Sequence, residues 1–176
     1  MGTRRFTLLE LLVVVGIIGI LAALIFPAFK MVRDSSRSSN CKNNLHSFSS
    51  VFQMYFHDYK EVMPVAAQMP SLNLNEDPRL CDVFAPYLTN AQAFQCPADR
   101  GDKNAEKKVY YLSEGSSYEY NTRMGGEKPS ESHLVRDLGE TKAFLMFDYE
   151  CFHGEPKTSG AKNYLFLDGH VGDLAD

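Results

Sequence analysis

RRFTLLELLVVVGIIGILAALIFPAF, residues 4–29, is the stretch whose reading decides the fold. From Leu11 to Phe29 no side chain is charged or strongly polar. As a helix rising ~1.5 Å per residue, those residues span ~28 Å, close to the ~30 Å hydrocarbon core of a bilayer. A helix that is apolar all round must be covered by lipid or by other apolar helices. Arg4 and Arg5 precede the run and Lys30 and Arg33 follow it, so flanking positive charge alone does not orient it.

A cleaved secretory signal would need small residues at its end, and Pro27-Ala28-Phe29 is a poor cleavage site. A plain single-span anchor fits the length. Neither accounts for Glu10, a carboxylate at the mouth of the apolar run, where an unpaired charge is costly.

Arg4-Arg5-Phe6-Thr7-Leu8-Leu9-Glu10-Leu11-Leu12-Val13-Val14, continued by Ile17–Ala23 to Pro27, resembles the processing motif of type IV prepilins and type II secretion pseudopilins. The resemblance implies a leader of residues 1–5, cleavage by a prepilin peptidase between Arg5 and Phe6, and N-methylation of Phe6. It implies that Glu10 stays in the membrane and that Pro27 sits where pilin helices often kink. The chain departs from the family at Arg5, where most members have Gly. A retained Glu has a physical use. It can meet the charged N-terminus of a neighbouring subunit and set the register, as a polar residue does in a coiled coil.

Beyond the apolar run, Cys41, Leu45, Phe48, Phe52, Tyr55 and Tyr59 recur at steps of four and three, one face of a helix. Pro64 lies past its expected end. The stripe reads as core. The remainder reads as a head: a short helix or helical turn over Pro78–Leu88, a tight loop at Phe94–Asp99, strands at Val109–Leu112 and Tyr118–Tyr120, and a turn at Arg123–Glu127. Ala143–Phe147 is the best central strand. A hairpin over Asn163–Leu174 turns on Asp168-Gly169, expected as a two-residue type I′ turn. The fold class is α+β: a long N-terminal helix, part in the membrane, packed on a small antiparallel sheet. Residues 6–29 form the membrane or filament-core helix and 30–176 the extracytoplasmic head, with about 30–60 as the soluble half of the helix.

Cys41-Lys42-Asn43-Asn44-Leu45, Phe94–Asp99 and Asn163–Val171 are similar to a prepilin-like subfamily of planctomycete- and lentisphaera-type bacteria, marked by a His nine residues before Asp-Gly. Here fourteen residues separate His153 from Asp168, which implies a longer loop.

Cys41, Cys81, Cys96 and Cys151 are an even set suited to disulfides in an oxidising compartment, with three pairings open. They form no CxxC pair, so a structural zinc site is not expected. Cys41, on the apolar face, also reads as a buried thiol. His153, Asp168, His170 and Asp173 are the candidate metal ligands, although Asp168 is already explained by the turn. The pseudopilin resemblance makes Ca2+ the ion to consider, with oxygens from Asp168, Asp173 and Asp176.

The 176 residues carry 18 basic and 22 acidic side chains, a formal charge of −4, and no concentrated positive face for nucleic acid. There is no GxSxG, no evident Cys-His pairing in sequence and no Gly-rich phosphate loop after a strand, so no enzyme is expected. Three functions compete. The first is a pseudopilin-like structural subunit in the bacterial inner membrane, partnered by other pilin subunits, the peptidase, an inner-membrane assembly platform and lipid. The second is a membrane-tethered ligand-binding domain that never polymerises, and the third a secreted hydrolase.

Overall fold

Helix α1 runs unbroken from Leu8 to Asp58 in the computed structural model, which describes residues 7–74, 76–100 and 109–174. The chain divides into two compact units, residues 1–36 and 37–176.

In the first unit, every large apolar side chain from Leu8 to Phe29 is exposed, from 46% at Val14 upward. Pro27 lies inside α1. It has no N–H to donate to the carbonyl four residues back, so that turn of the helix is short of a hydrogen bond.

The second unit contains the rest of α1 and the head. Cys41, Leu45, Phe48, Val51, Phe52 and Tyr55 are buried, the helical stripe read from the spacing with Val51 added. Tyr59 is the exception. It lies just past the helix end, 53% exposed, with its ring stacked on Tyr55. Phe48 packs against Phe84, Phe94 and Tyr118, and Phe52 against Phe84 and Tyr120, so one helix face meets both the sheet and the loops before it.

The sheet has four strands in chain order: β1 Tyr118–Tyr120, β2 Phe144–Asp148, β3 Tyr164–Phe166 and β4 Val171–Gly172, every pair antiparallel. The apolar run Ala-Phe-Leu-Met-Phe supplies central β2 because both faces of that strand have to be covered. Sequential antiparallel strands place the head among α+β folds, with α1 against the sheet.

Val109–Leu112, expected as a strand, is instead the start of helix α3, Tyr110–Glu114. The reason is long-range. The buried carboxylate of Asp99 accepts the backbone N–H groups of Tyr110 and Tyr111, satisfying donors that open a helix. Its Oδ2 also accepts from the Ser117 hydroxyl, so the Phe94–Asp99 loop is tied to the approach to β1. The Pro78–Leu88 region holds helix α2, Leu80–Val83, and a 3₁₀ turn at Ala85–Tyr87. Helix α4, His133–Leu138, lies in the connection to β2.

The hairpin turn also differs from the expected type I′. Gly169 has φ +91° and Asp168 does not have positive φ, whereas type I′ needs it at both central residues. Gly169 N–H donates to the Phe166 carbonyl, and Phe166 N–H to the His170 carbonyl, as in a type I turn closed by a left-handed glycine. A Cβ on Gly169 would stand 3.4 Å from Cβ of Ser49, an ordinary van der Waals contact, so the positive φ rather than lack of space calls for glycine here.

Candidate functional site: the helix mouth and a buried cysteine–histidine–carboxylate cluster

At the start of α1, Thr7 and Glu10 form a reciprocal cap. The Thr7 hydroxyl oxygen accepts from Glu10 N–H at 3.2 Å, and Glu10 Oε2 accepts from Thr7 N–H and Thr7 O–H, both at 2.9 Å. This is the Thr-x-x-Glu capping box, which satisfies two helix-end groups at once. It gives Glu10 a local role that its position in the apolar motif did not suggest. Arg5 and Phe6, the expected processing pair, lie outside the described residues. The described residues hold one helix, α1, long and apolar enough to cross a membrane by length and composition.

Deep in the head, Cys41 of α1 is joined to Cys96 of the Phe94–Asp99 loop, and both are fully buried. The Ser117 hydroxyl accepts the Cys96 N–H, which fixes the loop's approach. Cys81 and Cys151 are free and half-buried. Burial pushes the Cys81 thiol up despite the pull of Arg79, so it is a poor nucleophile.

His153 reaches the same place from the loop between β2 and β3. Its Nε2 lies 3.7 Å from Cys96 Sγ and 3.4 Å from Asp148 Oδ2, with the His153 side chain only 3% exposed. Asp148 ends β2, fully buried, and its Oδ2 accepts from the backbone N–H and side-chain amide of Asn163. The other oxygen, Asp148 Oδ1, is buried without a hydrogen-bond partner among the described residues, as is Asn163 Oδ1. Unsatisfied buried acceptors are costly, which singles this cluster out from the apolar core around it.

The remaining candidate ligands are placed elsewhere. Asp168 Oδ1 bonds the backbone and the ring of His170 at the exposed hairpin turn. Partial burial works against the charged carboxylate there, but the His170 hydrogen bonds outweigh it and lower its pKa. The His170 ring stacks on Phe166. Asp173 Oδ2 accepts from Gly160 N–H, and Asp176 lies outside the described residues. His153 is thus engaged with Asp148 and Cys96, while Asp168 and His170 bond each other at the turn.

A long N-terminal helix laid against a small antiparallel sheet is a pilin-like arrangement. The chain is 31% identical over 99 residues to the type IV major pilin protein PilA of Myxococcus xanthus (strain DK1622). The aligned part takes in 56% of this chain and 39% of that pilin, so well under two thirds of the relative is spanned. No family model matches the chain, and no solved structure matches it. The distant likeness supports a type IV pilin-like class of structural protein.

Proposed function

We propose that the chain is a pseudopilin-like structural subunit of a type IV pilus-like or type II secretion-like filament. It is made as a precursor in the bacterial inner membrane with its head outside the cytoplasm. A prepilin peptidase cuts between Arg5 and Phe6, Phe6 is N-methylated, and subunits polymerise through residues 6–29 on an inner-membrane assembly platform. The observation that carries this is the exposure of every large apolar side chain from Leu8 to Phe29. Such a surface requires lipid before assembly and neighbouring apolar helices after it. A buried disulfide suits a head that matures in an oxidising compartment. The pilin likeness supplies the class of partner: other copies or other pilin-type subunits.

One observation favours a second function, a tethered domain that does not polymerise. The Thr7–Glu10 cap satisfies the carboxylate within its own helix, with no neighbouring subunit needed. The two are separated by shearing intact cells of the native host and collecting the released filaments by centrifugation. Polymerisation predicts the mature chain in the sheared filament fraction. A chain confined to the membrane pellet would support the tether instead.

A further inference from the structure

We infer that Cys41, Cys96, His153 and Asp148 form a zinc site when the Cys41–Cys96 bond is reduced. The same point in the head is then stapled by a disulfide in one redox state and by a metal in the other. Among the described residues, ligand atoms of Cys41, Cys96 and His153 lie within 4.8 Å of one another. Asp148 adds an oxygen 3.4 Å from the histidine nitrogen.

The two separations that His153 makes fit a tetrahedral ion. With Zn–S of ~2.3 Å, Zn–N of ~2.0–2.1 Å and Zn–O of ~2.0–2.2 Å, the tetrahedron has S–N edges of about 3.6 Å and N–O edges of about 3.4 Å. The observed 3.7 Å from Cys96 Sγ to His153 Nε2 and 3.4 Å from His153 Nε2 to Asp148 Oδ2 are close to both. On the same geometry the two sulfurs must part to about 3.8 Å, and the Asp148 carboxylate, close to His153 but outside the three-residue group of Cys41, Cys96 and His153, must draw in toward them. Two thiolates, an imidazole and a carboxylate make a donor set that suits zinc. Asn163 already orients Asp148, holding its Oδ2 by two N–H groups, and Asp148 Oδ1, with no hydrogen-bond partner among the described residues, is a buried acceptor available to a cation.

The chemistry balances with a reductant of stated class. A trialkylphosphine in water gives two electrons to the S–S bond and takes the oxygen of water as phosphine oxide, while the two protons of that water complete two thiols. Zn2+ then displaces both thiol protons to solvent as it binds. Because both sulfurs are fully buried, the ion enters while the chain folds.

The experiment uses the full chain in detergent micelles, unfolded with a trialkylphosphine and refolded with Zn2+ or with Co2+ as a spectroscopic stand-in, then freed of loose metal. The expected result is one metal per chain in the reduced protein, with thiolate-to-cobalt charge-transfer absorption and tetrahedral visible bands, and none in the oxidised protein. His153→Ala is expected to weaken binding by at least about tenfold, while Cys81→Ser/Cys151→Ser leaves it unchanged. If His153→Ala does not fold, X-ray absorption at the zinc edge of the native sequence decides through its first shell, which should hold two sulfurs and two lighter atoms. No stoichiometric metal, unchanged binding in folded His153→Ala, loss in the double serine variant, or a first shell without two sulfurs would each overturn the site.

Discussion

Glu10→Gln and Glu10→Ala are both expected to remove the chain from sheared filaments by about a hundredfold, with the head's near-ultraviolet circular dichroism unchanged. The two substitutions separate two roles of one carboxylate. Within α1, Glu10 accepts from Thr7 N–H and O–H and completes a capping box. Gln preserves such a cap, since its carbonyl oxygen accepts in the same way, and Ala removes only the side-chain half of it, because the Thr7 hydroxyl still accepts the backbone N–H of residue 10. In the proposed filament, only a carboxylate would neutralise the charged amino group of a neighbour's Phe6 among apolar helices. Breaking such a buried pair costs about 3–5 kcal/mol, because the partner charge is left unmatched. If capping were the whole role, Gln would assemble like the native chain and Ala would be only slightly impaired. Quantifying each variant in filament and membrane fractions, against the native chain in the same host, distinguishes these patterns.

The second large effect is on the head. Cys96→Ser, without metal present, is expected to destabilise it by about 4 kcal/mol and to lower its melting temperature by about 10–20 °C. The bond joins residues separated by 55 positions, so it removes much freedom from the unfolded chain. It also ties α1 to the Phe94–Asp99 loop, whose Asp99 in turn organises the start of α3. Thermal unfolding of the full chain in detergent micelles, followed in the near ultraviolet, reads the shift. Reduction of the native chain under a chelator should lower the melting temperature by a similar amount. A shift of less than ~3 °C for the serine variant would mean that the cross-link contributes little to this head.

Sequence periodicity served well where one helix or strand acts alone. Steps of three and four placed Cys41, Leu45, Phe48, Phe52 and Tyr55 on one buried face, and the continuous apolar run identified central β2. It missed Tyr59 because a stripe in sequence does not mark where a helix stops. Val109–Leu112 looked like a strand because β-branched and aromatic residues dominate it. The Asp99 carboxylate, eleven positions before Tyr110, makes it the beginning of a helix. Asp168-Gly169 announced a turn, yet the turn's type depended on backbone angles that the dipeptide alone does not fix.

The buried cluster was hidden for a similar reason. Cys41 comes from a helix, Cys96 and His153 from separate loops and Asp148 from a strand end, so no short spacing brings them together. The Thr7-x-x-Glu10 cap, by contrast, was present as a pattern and was overshadowed by the apolar motif around it. His153 and Asp168, paired in the sequence signature, serve different neighbours: the disulfide region for one and the hairpin turn for the other.

The proposed route to a filament, with cleavage after Arg5 before polymerisation through residues 6–29, would leave its mark at the N-terminus of the mature chain. Intact-mass and N-terminal peptide mass spectrometry on protein from the native host's membrane and filament fractions reads it directly. The proposed filament subunit predicts a chain beginning at N-methylated Phe6 in both fractions. A chain still carrying residues 1–5, or one beginning near Lys30, would contradict it, the first pointing to a fixed anchor and the second to a secreted domain.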